Sequence, residues 1–275
     1  FYISSDKNGS LGHIKGMGRI LLARDTKGAG KADVMIEYTK VESPRGGHFV
    51  GGSLYLVHPP FLSKFQDKDG DGKADYDAER TLLVDGLGGG IEHPRGADHT
   101  TNGCRMGIDG WLYIAVGDFG AGNEKEKAGA KGRDGKRVTL YGGGVMRVRP
   151  DGSELETYTE MTRNICDTAI SPTLDLFSRD NTNDGKGWNT RFHHFTSLAD
   201  AGYPRLYKNF ADEISHPLAD YGGGSGTGGL YLSEPGFPGN FGESLFTCDW
   251  TTGTLHRHPI TRFEATFVAQ QETFE

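Results

Sequence analysis

The sequence predicts an all-β chain folded as a β-propeller of the six-bladed type. Three observations predict it: an excess of glycine, a loose internal repeat, and short strands alternating apolar with polar residues. Glycine occupies 43 of 275 positions, well above the usual ~7%. Without a collagen period, that much glycine means many turns, and it would harm long helices. Hydrophobic residues are 35%, few for a helical protein with a deep core. A generic β-sandwich is the alternative architecture.

The repeat can be followed along the chain. Residues 18–41 (GRILLARDTKGAGKADVMIEYTKV) give two strands around an Asp/Gly turn, and 52–60 (GSLYLVHPP) a third. Residues 61–87 repeat the pattern and are completed, after a longer loop, by 104–118 (CRMGIDGWLYIAVGD). A third unit spans 143–161 and 162–181, and a fourth spans 243–270. Strand pairs recurring every ~40–60 residues fit propeller blades with inserted loops. The stretch Gly222–Gly229 reads as a tight loop between blades. Four blades and part of a fifth can be counted. A closed propeller needs its last sheet to complete its first, so the expectation is one propeller domain over 1–275, a fragment of a longer protein. The chain opens on Phe1 as though inside a strand, with no visible signal peptide.

A net charge of −7 argues against nucleic acid as a partner, since no basic stripe exists to displace counterions. The basic runs at 125–133 and 147–150 read as solvated loops. No apolar run approaches the ~18 residues of a membrane helix. Cys104, Cys166 and Cys248 are far apart and lack CxxC spacing, which leaves zinc and haem attachment unsupported. Buried free thiols, or one disulfide and a free thiol, are both open.

Two motifs could carry chemistry. In Asp67-Lys-Asp69-Gly-Asp71-Gly-Lys-Ala-Asp75, carboxylates at alternate positions can converge on one hard cation, as calcium requires. Position twelve of an EF-hand loop would be Ala78, so a shorter loop closed by Asp75 or Asp77 is expected. An ion-free acidic turn is the other reading. The second motif runs from Asp98-His99 to Gly117-Asp118-Phe-Gly120. A loop histidine held with one nitrogen basic suits proton abstraction from an alcohol, and Asp118 could orient it. Otherwise His99 caps a turn. Trp111, Trp188 and Tyr203 could stack a sugar ring, or simply pack. Of His193-His194, adjacent on a strand, one is expected buried and the other solvated.

The pattern from His99 through the Asp109-Gly-Trp-Leu-Tyr strand to Gly117-Asp118-Phe-Gly120 resembles the quinone (PQQ)-dependent sugar dehydrogenases of the aldose, glucose and sorbosone type. Thr162-Arg163-Asn164 is similar to that family's R-N element, and 180–184 (DNTND) to its acidic calcium loop. Ala201-Gly-Tyr203-Pro is similar to its aromatic turn, and 245–253 to a later blade. Closer still are the propeller modules of large planctomycete-type envelope proteins described as membrane-bound dehydrogenases. The resemblance covers nearly the whole chain. It implies hydride transfer from a sugar or other alcohol, with His99 and Asp118 catalytic. Arg163, Asn164, Asn181 and Thr182 would lie at PQQ, and calcium would polarise the quinone carbonyls. It also implies an electron-acceptor cytochrome and a periplasmic or secreted location. The chain departs from the family where Trp250 and Thr251 stand in place of a lysine, and where Ile165-Cys166 rather than proline follows the R-N pair. These departures keep two other classes in view: a non-catalytic propeller that binds glycans or protein partners, and a polysaccharide lyase.

Overall fold

A computed structural model describes residues 1–121, 129–183, 188–205, 210–234, 236–237, 241–242 and 244–274, with the backbone alone at 182, 183 and 188. The described residues form five antiparallel-based sheets in chain order. The first holds β1 (Tyr2–Asp6), β2 (Gly18–Arg24) and β3 (Val34–Lys40). The second is the meander β4 (Gly47–Val50), β5 (Ser53–His58), β6 (Phe61–Phe65) and β7 (Arg80–Asp85). The third begins with β8 (Thr101–Met106) and β9 (Leu112–Val116). The chain then returns to the second sheet, adding β10 (Ala130–Gly132) and β11 (Arg137–Val138) beyond β7. Next, β12 (Gly143–Val148) and β13 (Glu156–Thr162) complete the third meander.

The fourth sheet is β14 (Ala169–Ile170), β15 (Leu176–Asn183), β16 (Trp188–Phe195) and later β18 (Ala219–Gly223). Between the last two, β17 (Ala199–Asp200) pairs in parallel with β13 at the edge of the third sheet. The fifth contains β19 (Gly226–Leu232), β20 (Ser244–Asp249), β21 (Thr254–Phe263), β22 (Thr266–Ala269) and β23 (Glu272–Phe274). No helix among the described residues is long and apolar enough to cross a membrane.

Four apolar clusters hold the sheets together, one at each junction. Ile20, Leu22 and Tyr38 of the first sheet meet Leu54, Leu56 and Phe65 of the second. Val57, Leu62 and Val84 meet Leu112, Ile114 and Met146. Tyr113, Ala115 and Val145 meet Leu176 and Phe195, and Phe177 and Phe192 meet Leu245 and Phe267. The strict alternation predicted for the strands therefore fails in the middle sheets. β5 and β9 are buried along their whole length, because a sheet between two others has no polar face to show.

The repeat is real but out of phase with the sheets. Residues 52–60 lie in the same sheet as β6, and 104–118 open the sheet that β12 continues. The two-residue links Gly51-Gly52 and Pro59-Pro60 join strands within a sheet, but link length does not mark the sheet boundaries: 224–225 cross from β18 to β19, and the long 66–79 loop stays within the second sheet. Within the glycine-rich 222–229 stretch, only 224–225 link two strands; the rest is strand. All three cysteines are free: Cys104 is buried, Cys166 partly buried and Cys248 exposed. Arg147 and Arg149 are not in a solvated loop; their guanidinium groups lie 4.5 and 3.9 Å from the Trp111 ring.

Ile114 is fully buried in the second junction, whereas Ile108 is 76% exposed. Ile114→Ala is expected to lower the unfolding free energy by about 2–5 kcal/mol, and Ile108→Ala by less than about 0.5. Urea unfolding followed by fluorescence checks the contrast; equal effects would contradict the face-to-face packing.

Candidate functional site

The first strands β4, β8, β14 and β19 each lie at one edge of their sheet; β4 approaches β8, and β14 approaches β19. The segments that feed them meet at one end of the molecule. There Arg45, His99, Asn102, Arg163, Asn181 and Trp250 line a polar cavity of about 760 Å³.

His99 is held from several sides. Its backbone is left-handed, with φ +51°, and its carbonyl accepts from Phe119 N at 3.0 Å. Nδ1 lies 2.7 Å from Asp118 Oδ1. A carboxylate can only accept, so Nδ1 of the neutral ring carries the proton and Nε2 keeps its lone pair. The ring stacks on Phe119 at 5.1 Å between centroids. Asp118 takes a second bond, from the Tyr203 hydroxyl at 3.0 Å. Burial, and then the charge of Asp118, push the Tyr203 phenol up to about 12, so it stays a donor at neutral pH. The sequence offered Tyr203 only as a stacking ring; nothing in an 85-residue separation points to Asp118.

The Gly-Asp pair has a steric basis. A Cβ on Gly117 would lie 2.4 Å from His99 O and 2.6 Å from Asn164 Oδ1, so only glycine lets the His99 loop and the Arg163-Asn164 segment both close on β9. Asp118 N donates to Arg163 O at 2.6 Å. Asn102 Nδ2 donates to Asn164 Oδ1 at 3.0 Å and to Ile165 O at 2.9 Å. Arg163 Nη1 donates to Asn181 Oδ1 at 3.0 Å. The backbone amides of Arg163 and Asn164 both donate to Asp180 at 3.1 Å.

Asp180 is 1% exposed. Burial raises its carboxyl to about 6, opposed by Arg191 and by the two amides.

His99, Asp118, Arg163, Asn164 and Asn181 thus come together. Thr182 is next on β15, but its side chain lies outside the described residues, as does Asp184. Trp250 and Thr251, which replace the lysine of the quinone enzymes, do face the cavity. Arg45 lines it too, and no feature of the sequence singled it out. Trp111 packs under arginines rather than lining it. His193 and His194 point apart, but neither is solvated: His194 is wedged against Phe177 and Phe267 and lies 3.4 Å from Asp175.

The acidic loop between β6 and β7 is a separate place. Ligand atoms of Asp67, Asp69 and Asp71 lie within 4.8 Å of one another. Asp75 is outside that group and accepts from the amides of Asp77 and Ala78. Three carboxylates so close offer the hard oxygens that calcium takes. None of them lines the cavity.

Five stacked sheets among the described residues, with a polar cavity where the first strands of four of them begin, make a β-propeller. The fold is that of the PQQ-bound aldose sugar dehydrogenase of Streptomyces coelicolor. That enzyme aligns with a TM-score of 0.63 at 16% identity, over 95% of this chain and 79% of that one. A glucose dehydrogenase gives 0.65 at 13%, over 93% and 80%. A Thermus thermophilus protein, provisionally described as an oxidoreductase (glucose dehydrogenase), gives 0.58 at 19%, over 93% and 78%. The chain itself belongs to the DUF7133 family, described as a domain of unknown function, which it matches over residues 2–275. No curated protein matches it.

Asp180 binds its proton more tightly in the folded chain than unfolded, where a carboxyl titrates near 4. Folding therefore takes up a proton between about pH 4 and pH 6, and this contribution to stability is lost as pH rises through that window. Between pH 4 and pH 7 the parent should lose on the order of 2–3 kcal/mol relative to Asp180→Asn. Parallel urea titrations check this, and matching pH slopes would contradict it.

Proposed function

We propose that the chain is a quinone-dependent dehydrogenase that oxidises a sugar or another alcohol, with His99 as the base. The observation that carries the reading is the His99–Asp118 hydrogen bond of 2.7 Å, set at a cavity that Arg163, Asn164 and Asn181 also line. Asp118 fixes the tautomer, and Nε2 of His99 takes the hydroxyl proton as the carbinol carbon gives up hydride. Tyr203 holds the other carboxylate oxygen and so keeps Asp118 from turning away.

Arg163, Asn164 and Asn181 line the cavity with donors that suit an anionic quinone. Arg163, Asn164, Asn181 and Thr182 would hold it, and PQQ, when bound, supplies the two-electron acceptor. The fold shared with a PQQ-bound sugar dehydrogenase supports this reading. So does the position of Arg45 and Arg163 for an anionic cofactor. The wider reading is a periplasmic or secreted propeller module of a longer envelope protein, of the planctomycete-type membrane-bound dehydrogenases, that passes electrons to a cytochrome. One observation favours a second reading, a non-catalytic propeller that binds glycans or protein partners. Trp250 and Thr251, not a lysine, face the cavity. Hits on a glycan array without turnover would select it.

Purified chain with PQQ and calcium, assayed by dye reduction across a sugar panel, is the test. No quinone binding at micromolar concentration would sink the first reading. His99→Gln is expected to lower turnover by about 10²–10⁴-fold while leaving the fold intact by circular dichroism, because the glutamine amide can still donate to Asp118 but cannot accept the substrate proton as imidazole can. Parental turnover in that variant would remove His99 from the chemistry.

Apart from the quinone site, we propose that Asp67, Asp69 and Asp71 hold a structural calcium. Calcium at a hundredfold over its Kd should stabilise the parent by about 2.7 kcal/mol through mass action. Asp69→Asn/Asp71→Asn should keep only a minor part of that gain. Thermal melts with and without calcium measure it; an unchanged response in the double variant would leave the run an acidic turn.

A further inference from the structure

Arg45 is a cation placed with care and left without an acid. Its backbone is fixed in the link into β4: N donates to Val57 O at 2.9 Å, and O accepts from Ser4 Oγ at 2.7 Å. The next amide, of Gly46, donates to Asn102 O at 2.7 Å. The side chain therefore enters the cavity from a rigid base. Its Nε is buried and has no hydrogen-bond partner, and Nη2 makes one long contact, 3.5 Å, to Ala97 O.

Three other enclosed arginines have a carboxylate at close range. Arg105 has Asp167 at 2.7 Å, Arg147 has Glu156 at 2.6 Å and Arg179 has Asp249 at 3.2 Å. Among the described residues no carboxylate comes within 4.0 Å of Arg45. Three groups share its field. Asp6 lies beyond ion-pair distance. Asp98 is engaged by Arg95 at 3.5 Å. The Cys166 thiol is pushed up to about 12 by burial, so it is neutral and supplies no counter-charge. Burial accordingly lowers the pKa of Arg45. A guanidinium partly withdrawn from water with no anion at ion-pair distance gains from a ligand that brings one. Around it, Asn102, Asn181, Ser225 and Thr227 supply neutral groups that suit hydroxyls.

We propose that the cavity binds a ligand bearing a carboxylate, with that carboxylate seated on Arg45. The inference rests on reading this cavity as the ligand site of the proposed dehydrogenase. The acid group could come from the substrate, as in a sugar acid, or from the quinone. The chemistry at Arg45 is the same, a charge-assisted and geometrically two-point contact.

Calorimetric titration of the full chain with galacturonate, galactose and PQQ tests it and separates the two sources. Parent chain is expected to bind one or both of the acids. Arg45→Gln is expected to weaken the acid that sits on Arg45 by at least about tenfold and to leave galactose unchanged. Loss confined to galacturonate assigns the carboxylate to the substrate, and loss confined to PQQ assigns it to the quinone. Arg45→Lys keeps the charge but not the fork, serves if the glutamine variant does not fold, and should weaken the same acid several-fold. Parent-like affinity for both acids in the folded variants overturns the proposal, as does a parent that binds neither. The outcome is independent of turnover. Carboxylate binding lost at Arg45 without any dye reduction overturns the dehydrogenase reading alone. Sugar oxidation with acid binding indifferent to Arg45 overturns this one alone.

Discussion

A sheet that is apolar on both faces can bury them only between two other sheets, and three of the five sheets here are of that kind. β9 shows it within five residues: Leu112, Ile114 and Val116 turn to the second sheet, Tyr113 and Ala115 to the fourth. Stacking in chain order follows, because each sheet is a meander whose last strand lies far from its first. First strands then run side by side, β4 with β8 and β14 with β19, and Gly103 has no room for a side chain. A Cβ there would lie 2.6 Å from Asp167 Oδ1 and 3.0 Å from Asp167 Cα.

The site is a consequence of that stacking. To pass from one meander to the next, the chain must return to the edge where the first strand begins, so the crossing segments arrive at a common end. They deliver Arg45 before β4, His99 before β8, Arg163 and Asn164 before β14, and Ser225 before β19. Their mutual anchoring is polar and specific. Asp180 gathers two amides, Asn102 bridges to Asn164 and Ile165, and Asp118 ties the end of β9 to both His99 and Tyr203. Local strain is accepted at the centre of this arrangement, where His99 itself takes a left-handed backbone.

Much of the fold was legible because glycine content and repeated strand pairs report turn frequency and sheet content directly. The sheet boundaries were not, since a repeat unit has no intrinsic start and link length does not supply one: the two-residue links at 51–52 and 59–60 join strands of one sheet, whereas 224–225 join two sheets. At the site, His99 and Asp118 were readable from a loop and a turn that flank one strand pair. Tyr203 and Arg45 were not, because their roles depend on contacts between sheets 85 and more than 50 residues apart in the chain. Asp180 could be read as an acidic residue near a ligand. Only packing shows it instead facing inward, holding the Arg163-Asn164 backbone.

Charge is distributed against the average of the chain. The net charge is −7, yet three acids at or beside the cavity are engaged: Asp118 by His99 and Tyr203, Asp180 by backbone amides, and Asp98, which lines it, by Arg95. Arg45 and Arg163 line it as cations. At physiological ionic strength the surface acids are screened beyond about 8 Å, whereas a partly desolvated guanidinium inside a cavity is screened far less. On the proposed reading, an anionic ligand would be repelled weakly at a distance and held strongly at contact. The protein can stay acidic overall without losing a site for negative charge, provided that site is enclosed, and the stacked sheets are what enclose it.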